Sequence, residues 1–570
     1  MPSTPTTKSQ VQAYRFVLRR MQSALVRKDA VMLHDPMRTH SRATIVGICL
    51  AAVGMLGFLI WGILSPKPTA PTEDGIVIGK PSGQVYVMIA KPETEKKLIP
   101  VFNLASARLV LMARAQQNTG GEGGGQQQAP QAAAKVEEPE VVDDNELRDI
   151  PRGRKMGIPN GPDLLPGKDQ RIDANWAVCD TYQLDKDQPQ DDVGSVQLDD
   201  PNTQDNEDTP EARQEQISEK IKTTVIAGQK NLGEPLTRDG SILVRAKDGL
   251  YYLIYRTPAS LNTPNTQTVR AKVDIRDLAV RSALNIDETK ARWITLGLLN
   301  SIPPASDIVV PPIVGDNGAE PGEDSRVQGE NGNPLAVGDV YKVTYASDDT
   351  RYFAVEHEGL ERIKNTTADL LQAFDSGPST DIRPLPQDVA AAGINKDLDE
   401  VQDGSYPDES PETLLAANAQ VTCLGWQTVG SGNNVDAKTT VYVGKEMKLK
   451  VDDKGNPTEA VKISTPNDKG IRVDYFYMPP GRGAIIRQAT SPAQFKTGSI
   501  ILVSDRGVKY GIPDATVAQG LGLEVQKPAP KNIVSLLPDG AQLSPDNANQ
   551  NFDTAPDPKG DRTPPSQGSG

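Results

Sequence analysis

Histidine and cysteine are scarce: the 570-residue sequence holds three of each. His34 and His40 precede a long uncharged run, which leaves His357, in "AVEHEGLERI", alone in the large remainder. One histidine cannot supply the usual multi-histidine zinc set, and a Ser-His-Asp triad would have to use it without any G-x-S-x-G elbow. The expectation is a histidine at a strand end, with no metal and no cofactor. Aromatic residues make up only 5% and hydrophobic residues 37%, against 46 Pro and 49 Gly. Such a chain is built from several modest cores joined by loops and linkers, not from one large core.

Basic charge is in deficit overall, with a net charge of −14, but not at the start. Residues 1–42 hold Lys8, Arg15, Arg19, Arg20, Arg27, Lys28, Arg38 and Arg42 against Asp29 and Asp35, a local charge of +6 that leaves −20 on the rest. A basic head on an acidic body argues against nucleic acid as a partner. Charge is missing altogether from residues 43–64, a stretch of 22 residues that is long enough to cross a ~30 Å hydrocarbon layer as a helix. The 42 residues before it, the length of the run and Pro71 beyond it all disfavour a cleaved signal peptide. An uncleaved single-pass anchor is expected, with the basic flank cytoplasmic and residues 65–570 outside, in the inner membrane and periplasm. Ala43, Gly47, Ala51 and Gly54 form a small-residue stripe suited to helix packing. Before the span, Val11, Tyr14, Leu18, Met21 and Leu25 share one helical face. The basic residues Arg15, Arg19, Arg20 and Arg27 on this amphipathic helix would meet anionic lipid or a cytoplasmic partner.

Sidedness gives the cysteines meaning. Cys49 lies in the span, so "NWAVCD" (175–180) and "VTCLGW" (421–426) carry the only exported pair. An oxidising compartment makes a Cys179–Cys423 disulfide the simplest outcome, the alternative being two buried thiols. Closing so long a loop stabilises by about 5 kcal/mol in the chain-entropy picture.

The exported part repeats one arrangement: strand, turn, strand, short helix. It starts at Ser82 ("SGQVYVMIAKPETEKKLIPVFNLASARLVL"), Gly240 ("GSILVRAKDGLYYLIYRTPASL"), Asp339 ("DVYKVTYASDDTRYFAVEHEGLERIKNTTADLLQAF") and Gly498 ("GSIILVSDRGVKYGIPDATVAQGLGL"). One hairpin with one helix cannot bury its own faces, so four copies should pack together or on a shared core. The octamers "RGRKMGIP" (152–159) and "RGVKYGIP" (506–513) read as related corners of paired repeats.

The fold class is α+β. The head spans 1–42, the membrane helix 43–64, the first repeat 65–115 and a disordered insertion 116–147. A β-rich central domain takes its first half from 148–237, including an acidic insertion at 185–216, and its second half from 416–495. The second repeat covers 238–300, the third 338–375, a disordered linker 376–415, the fourth repeat 496–523 and a mostly disordered Pro-rich tail 524–570. Within the tail only "NIVSLLPDGAQL" (532–543) looks able to dock.

One near-motif concerns nucleotides. "GNNVDAKT" (432–439) matches G-x-x-x-x-G-K-T except for Ala437, and strand-like "TTVYVGKEM" follows where a helix should begin. Without that glycine and helix N-terminus the phosphate cradle is lost, and a polar hairpin is expected. "YMPPGRGAIIR" (477–487) reads as a structural turn presenting Arg482.

The head "YRFVLRRMQSALVRKDAVMLHDPMR" before a single span resembles EccB, a core membrane component of type VII (ESX) secretion systems of actinobacteria. "PRGRKMGIPNGPDLLP", the "WAVCD" and "VTCLGW" pair and "PPGRGAIIR" extend the resemblance nearly to the end of the chain. The acidic and Gly/Gln-rich insertions depart from it. The resemblance implies a structural subunit of a protein-export channel, a higher-order oligomer with a cytoplasmic N-terminus and four periplasmic repeats around a bridged core. It implies assembly with EccC, EccD and EccE and contact with the mycosin protease. A membrane-anchored nucleotide hydrolase is the alternative.

Overall fold

The computed structural model describes residues 7–27, 36–64, 71–90, 96–119, 138–182, 221–257, 267–312, 320–375, 381–415 and 419–552, apart from 347–348, 399–400, 402, 433, 446, 451–457, 464–470 and 472. The acidic insertion at 185–216 and residues 553–570 of the tail lie outside the described residues. The chain forms two units, Met1–Ala70 and Pro71–Gly570.

The first unit contains helices Lys8–Arg27 and Pro36–Leu64. Of the described helices, the second alone is long and apolar enough to cross a membrane, over Arg42–Gly62. It begins ahead of the apolar run because Pro36 sits at its first position, where a missing N–H costs nothing.

The second unit is β-rich, and its repeats contain more than the sequence grammar shows. Gly75–Lys80, Val85–Ile89 and Lys97–Pro100 form an antiparallel meander, helix Leu104–Thr119 crosses over, and Glu140–Asp143 returns parallel to the first strand. The second repeat runs the same way through Gly240–Arg245, Tyr251–Arg256, Thr268–Val273, helix Leu278–Ala283 and Arg292–Trp293. The third uses Val340–Thr344, Thr350–Glu356, Gly359–Ile363, helix Asn365–Asp375 and Arg383–Pro384. The fourth uses Ala484–Ala489, Ile500–Val503, Lys509–Ile512, helix Ala515–Gly520 and Lys527–Pro530. Each sheet thus has the order third, second, first, fourth strand. A further segment runs parallel along every third strand: Leu98 bridges Arg152, Arg270 bridges Pro304, Leu360 bridges Ile394 and Lys509 bridges Asp539.

The sequence expectation of two strands and a helix therefore caught a different pair in different copies. In the first and fourth repeats it caught the second and third strands; in the second and third repeats it caught the first and second. The parallel return strands escaped because they are two to four residues long and two of them hold prolines, "RP" and "KPAP". They also move the expected boundaries. Strand Glu140–Asp143 falls in 116–147, and Ala484–Ala489 lies in the fourth repeat, not the central domain. The octamer echo does not mark equivalent corners: 152–156 flanks a third strand, whereas 506–513 forms the hairpin turn and third strand themselves.

Two intervals read as disordered hold structure. Within 376–415, helix Gln387–Gly393 and a strap from Asp403 to Thr413 are tied down. Asp403 accepts from Lys364 N and Thr367 Oγ1, Lys364 Nζ donates to Tyr406 O at 2.6 Å, and Glu412–Thr413 pairs with the second repeat. Within 524–570, Leu536, Leu537, Leu543 and Ala548 are buried. Polar composition hid the helix and strap within 376–415, whereas Leu536, Leu537 and Leu543 lie inside the tail segment 532–543 expected to dock and Ala548 lies beyond it.

Turn chemistry recurs between copies. Gly249 and Gly507, at φ 79° and 78°, close turns whose N–H groups donate to Ala246 O and Ser504 O, a backbone region that residues with a Cβ avoid. Packing then pairs the repeats. Ile76, Val87 and Leu109 of the first share one core with Leu502, Val517 and Leu521 of the fourth. Leu243, Leu253 and Val280 of the second share another with Leu370 of the third and Tyr406 of the strap. Each such aliphatic side chain taken from water contributes about 2 kcal/mol, which no repeat could gain alone.

Candidate functional site: the bridged central sheet

The central sheet is where distant parts of the chain meet. Its seven strands run in the order Val461–Lys462, Tyr475–Tyr477, Ile221–Ala227, Asn175–Tyr182, Val421–Ser431, Asn434–Gly444 and Glu234–Pro235. Both cysteine segments are central, antiparallel neighbours. Cys179 faces Cys423 directly, and Trp176 faces Trp426 three positions along. Cys179 and Cys423 are joined in a disulfide across 244 positions, and both are buried. Alternation along the strand explains the paired tryptophans: they lie on the opposite face, in the core shared with the second and fourth repeats.

That opposite face carries a buried polar group the sequence analysis missed. Asp180 accepts from Thr295 N at 2.9 Å, Thr295 Oγ1 at 2.8 Å and Thr223 Oγ1 at 2.9 Å. Thr223 N in turn donates to Asp474. Thr295 caps helix Leu296–Ser301, so one carboxylate ties two central strands to the second repeat. Burial pushes the Asp180 carboxyl above its usual range, while the Thr295 and Thr223 hydrogen bonds draw it back. Arg292 lies 5.2 Å over the Tyr182 ring, and its guanidinium is drawn down by burial, with no hydrogen-bond partner on any nitrogen. Tyr182, pushed up by burial, donates from its hydroxyl to Trp293 O. The available signal was an aspartate directly after the apolar run "WAVC" in a strand-like segment, a placement that demands donors.

The near-motif for phosphate sits in the same sheet. Gly432, at φ 66°, belongs to a tight hairpin, and Lys438 is inside strand Asn434–Gly444, paired with Gln427. Its backbone is held in a ladder, so it forms neither a loop around an anion nor the start of a helix. Ala437 and Thr439 line a cleft of about 150 Å³ with Leu424, Trp426, Phe495 and Ile533, but Lys438 is not in its lining. Arg482 closes a turn, its N–H donating to Pro479 O and its guanidinium to Asp169 O, while Gly483 pairs with Gln170 and Ile172. His357 is at the hairpin tip beside Glu358. Among the described residues no group of acidic, histidine or cysteine side chains could hold a metal ion.

In the first unit, Arg15, Arg19 and Arg20 lie on the exposed helix that Arg27 closes. Ala43, Gly47, Ala51 and Gly54 lie on the membrane-length helix, and a Cβ added at Gly47 or Gly54 would meet nothing within 4 Å.

The family described as "Type VII secretion system ESX-1, transport TM domain B" matches residues 3–557. A relative from Mycolicibacterium smegmatis named "ESX-1 secretion system ATPase EccB1" is 28% identical, covering 97% of this chain and 96% of its own. One from Mycobacterium tuberculosis with the same name is 26% identical over 99% of this chain and 98% of its own. The fold is shared with a chain of an intact ESX-5 inner membrane complex (TM-score 0.59, 21% identity, 99% of this chain and 98% of that one). It is shared also with the EccB3 dimer of the ESX-3 core complex (TM-score 0.59, 24% identity, 84% of this chain and 100% of that one). With nearly its whole length matched, this chain belongs to the EccB family of type VII secretion proteins.

Proposed function

We propose that this chain is a structural, non-enzymatic subunit of an ESX inner membrane complex, one that builds the periplasmic part of its protein-export channel. The observation that carries the reading is the bridged central sheet. Segments 244 positions apart form its middle, and repeats pack on it and on each other in pairs. Such a body presents surfaces to partners. The basic head before a membrane-length helix supports a cytoplasmic N-terminus with residues 65–570 outside. EccC, EccD and EccE would pack around the stripe of Ala43, Gly47, Ala51 and Gly54. Arg15, Arg19, Arg20 and Arg27 would hold a cytoplasmic partner or anionic lipid, and the mycosin protease would meet the exported body.

Nucleotide hydrolysis is the second reading, because relatives carry "ATPase" in their names. The strand position of Lys438 speaks against a phosphate cradle there. The purified full chain should show no ATP hydrolysis above background, and Lys438→Ala should leave that background unchanged. Turnover that depends on Lys438 would overturn the structural reading.

A further inference from the structure

The sheet of the first repeat is electrically polarised. At one edge, strand Glu140–Asp143 and its turn bring Glu140, Asp143, Asp144 and Glu146 together. At the other, strand Lys97–Pro100 and the parallel segment 152–156 bring Lys96, Lys97, Arg152, Arg154 and Lys155 together. Leu98 N donates to Pro151 O, and Gly153 N donates to Leu98 O, so the two basic segments are held side by side by their backbones. A Cβ at Gly153 would lie 3.0 Å from Lys97 Cε. Arg152 stacks 5.3 Å from the Tyr86 ring centre and Lys155 4.1 Å from that of Phe102, which holds both stems against the sheet. Neither segment contains a carboxylate, and no described ion pair joins Lys96, Arg152, Arg154 or Lys155 to one.

This basic edge stands on a strongly acidic body, and its place in the chain narrows its partner. Lys96 Nζ is 3.4 Å from the carbonyl of Pro71. Pro71 is seven peptide steps beyond Leu64, where the membrane-length helix ends, so the intervening chain reaches no further than about 25 Å. A cluster of cations tethered that closely to a bilayer meets headgroups before anything else. We propose that Lys96, Arg152, Arg154 and Lys155 rest on anionic phospholipid headgroups of the membrane that the chain's own helix crosses. Each basic side chain near an anionic surface raises occupancy about fivefold, so even three of them discriminate strongly between charged and neutral lipid.

The inference rests on the anchor reading, and the test separates the two. The full chain carrying Cys49→Ser and Asn160→Cys is labelled with a fluorophore and inserted into nanodiscs whose lipids include a headgroup nitroxide quencher. One set is neutral phosphatidylcholine; the other contains about one-third phosphatidylglycerol. Quenching at position 160 should be at least about fivefold greater in the anionic discs. It should fall to the neutral level in roughly 0.5 M salt, where screening shortens to a few ångströms. The triple variant Lys96→Gln, Arg152→Gln, Lys155→Gln should lose the difference, while a label at Glu146→Cys on the acidic edge stays unquenched in both. Equal quenching in both lipids, as a protein partner on this face would give, overturns the proposal. So does a lipid difference that survives salt or the triple variant. The salt series on the unsubstituted edge decides the matter even if that variant folds poorly. A chain that does not enter discs at all contradicts the anchor, not the basic edge.

Discussion

Cys179 and Cys423 already face each other as ladder partners, so the bridge acts mainly on the unfolded chain, whose freedom it restricts over 244 positions. Cys179→Ser should destabilise the protein by about 3–5 kcal/mol in denaturant unfolding, with no change in the slope beyond that expected from a freer unfolded state. Non-reducing peptide mapping of protein taken from cell envelopes should recover the two cysteines linked. Asp369 makes a pH-dependent contribution of its own. Burial pushes its carboxyl to about 6 from 3.8, with the Ser410 hydroxyl 3.5 Å away opposing the shift. A carboxyl whose folded value is raised destabilises above that value, and the penalty disappears as pH falls through about 6 toward 3.8. Asp369→Asn should therefore melt higher than the wild type near neutral pH, and the gap should close below about pH 4. A constant gap across that range would show that the carboxyl is not the cause. The cysteine pair was legible because Cys179 and Cys423 are the two cysteines outside the apolar run; Asp180 was not, because its partners Thr223 and Thr295 are 43 and 115 positions away.

Among the elements, the hairpins were legible because their turns need Asp and Gly and their strands alternate, both local properties. The return strands, the flanking segments beside each third strand and the strap at 403–413 were not. They are ordered by hydrogen bonds to distant chain, such as Glu412 N to Asp239 O, and are too short, or too rich in proline, to stand out as strands. The helices differ in the same way. Helix Ala515–Gly520 approaches the first repeat so closely that a Cβ at Gly520 would sit 2.2 Å from Met112 Sδ, a constraint no periodicity reveals. In the membrane-length helix, small residues at Ala43, Gly47, Ala51 and Gly54 would allow a partner helix to approach closely. Gly47→Leu, on the small-residue stripe, should reduce recovery of assembled complex more than Gly57→Leu, which lies off it. Equal recovery from native membranes for both variants would remove the stripe from the account.

The whole molecule is a set of small sheets that cannot stand singly: the first and fourth repeats close one core, the second and third another, and the bridged sheet joins the second and fourth. The first and fourth repeats are distant in sequence, and the body holds its form through many shared surfaces, which suits a scaffold. The α+β class, the candidate membrane helix and the family were within reach of the sequence; the pairing of the first repeat with the fourth was not, since it depends on contacts between distant parts of a long chain. The measurement that tests the central claim most directly is a pull-down of the tagged full chain from native membranes, read by quantitative mass spectrometry. The account predicts that EccC, EccD and EccE are recovered with it in fixed proportions, and that Lys438→Ala leaves those proportions unchanged. Recovery of the chain without these proteins would contradict it.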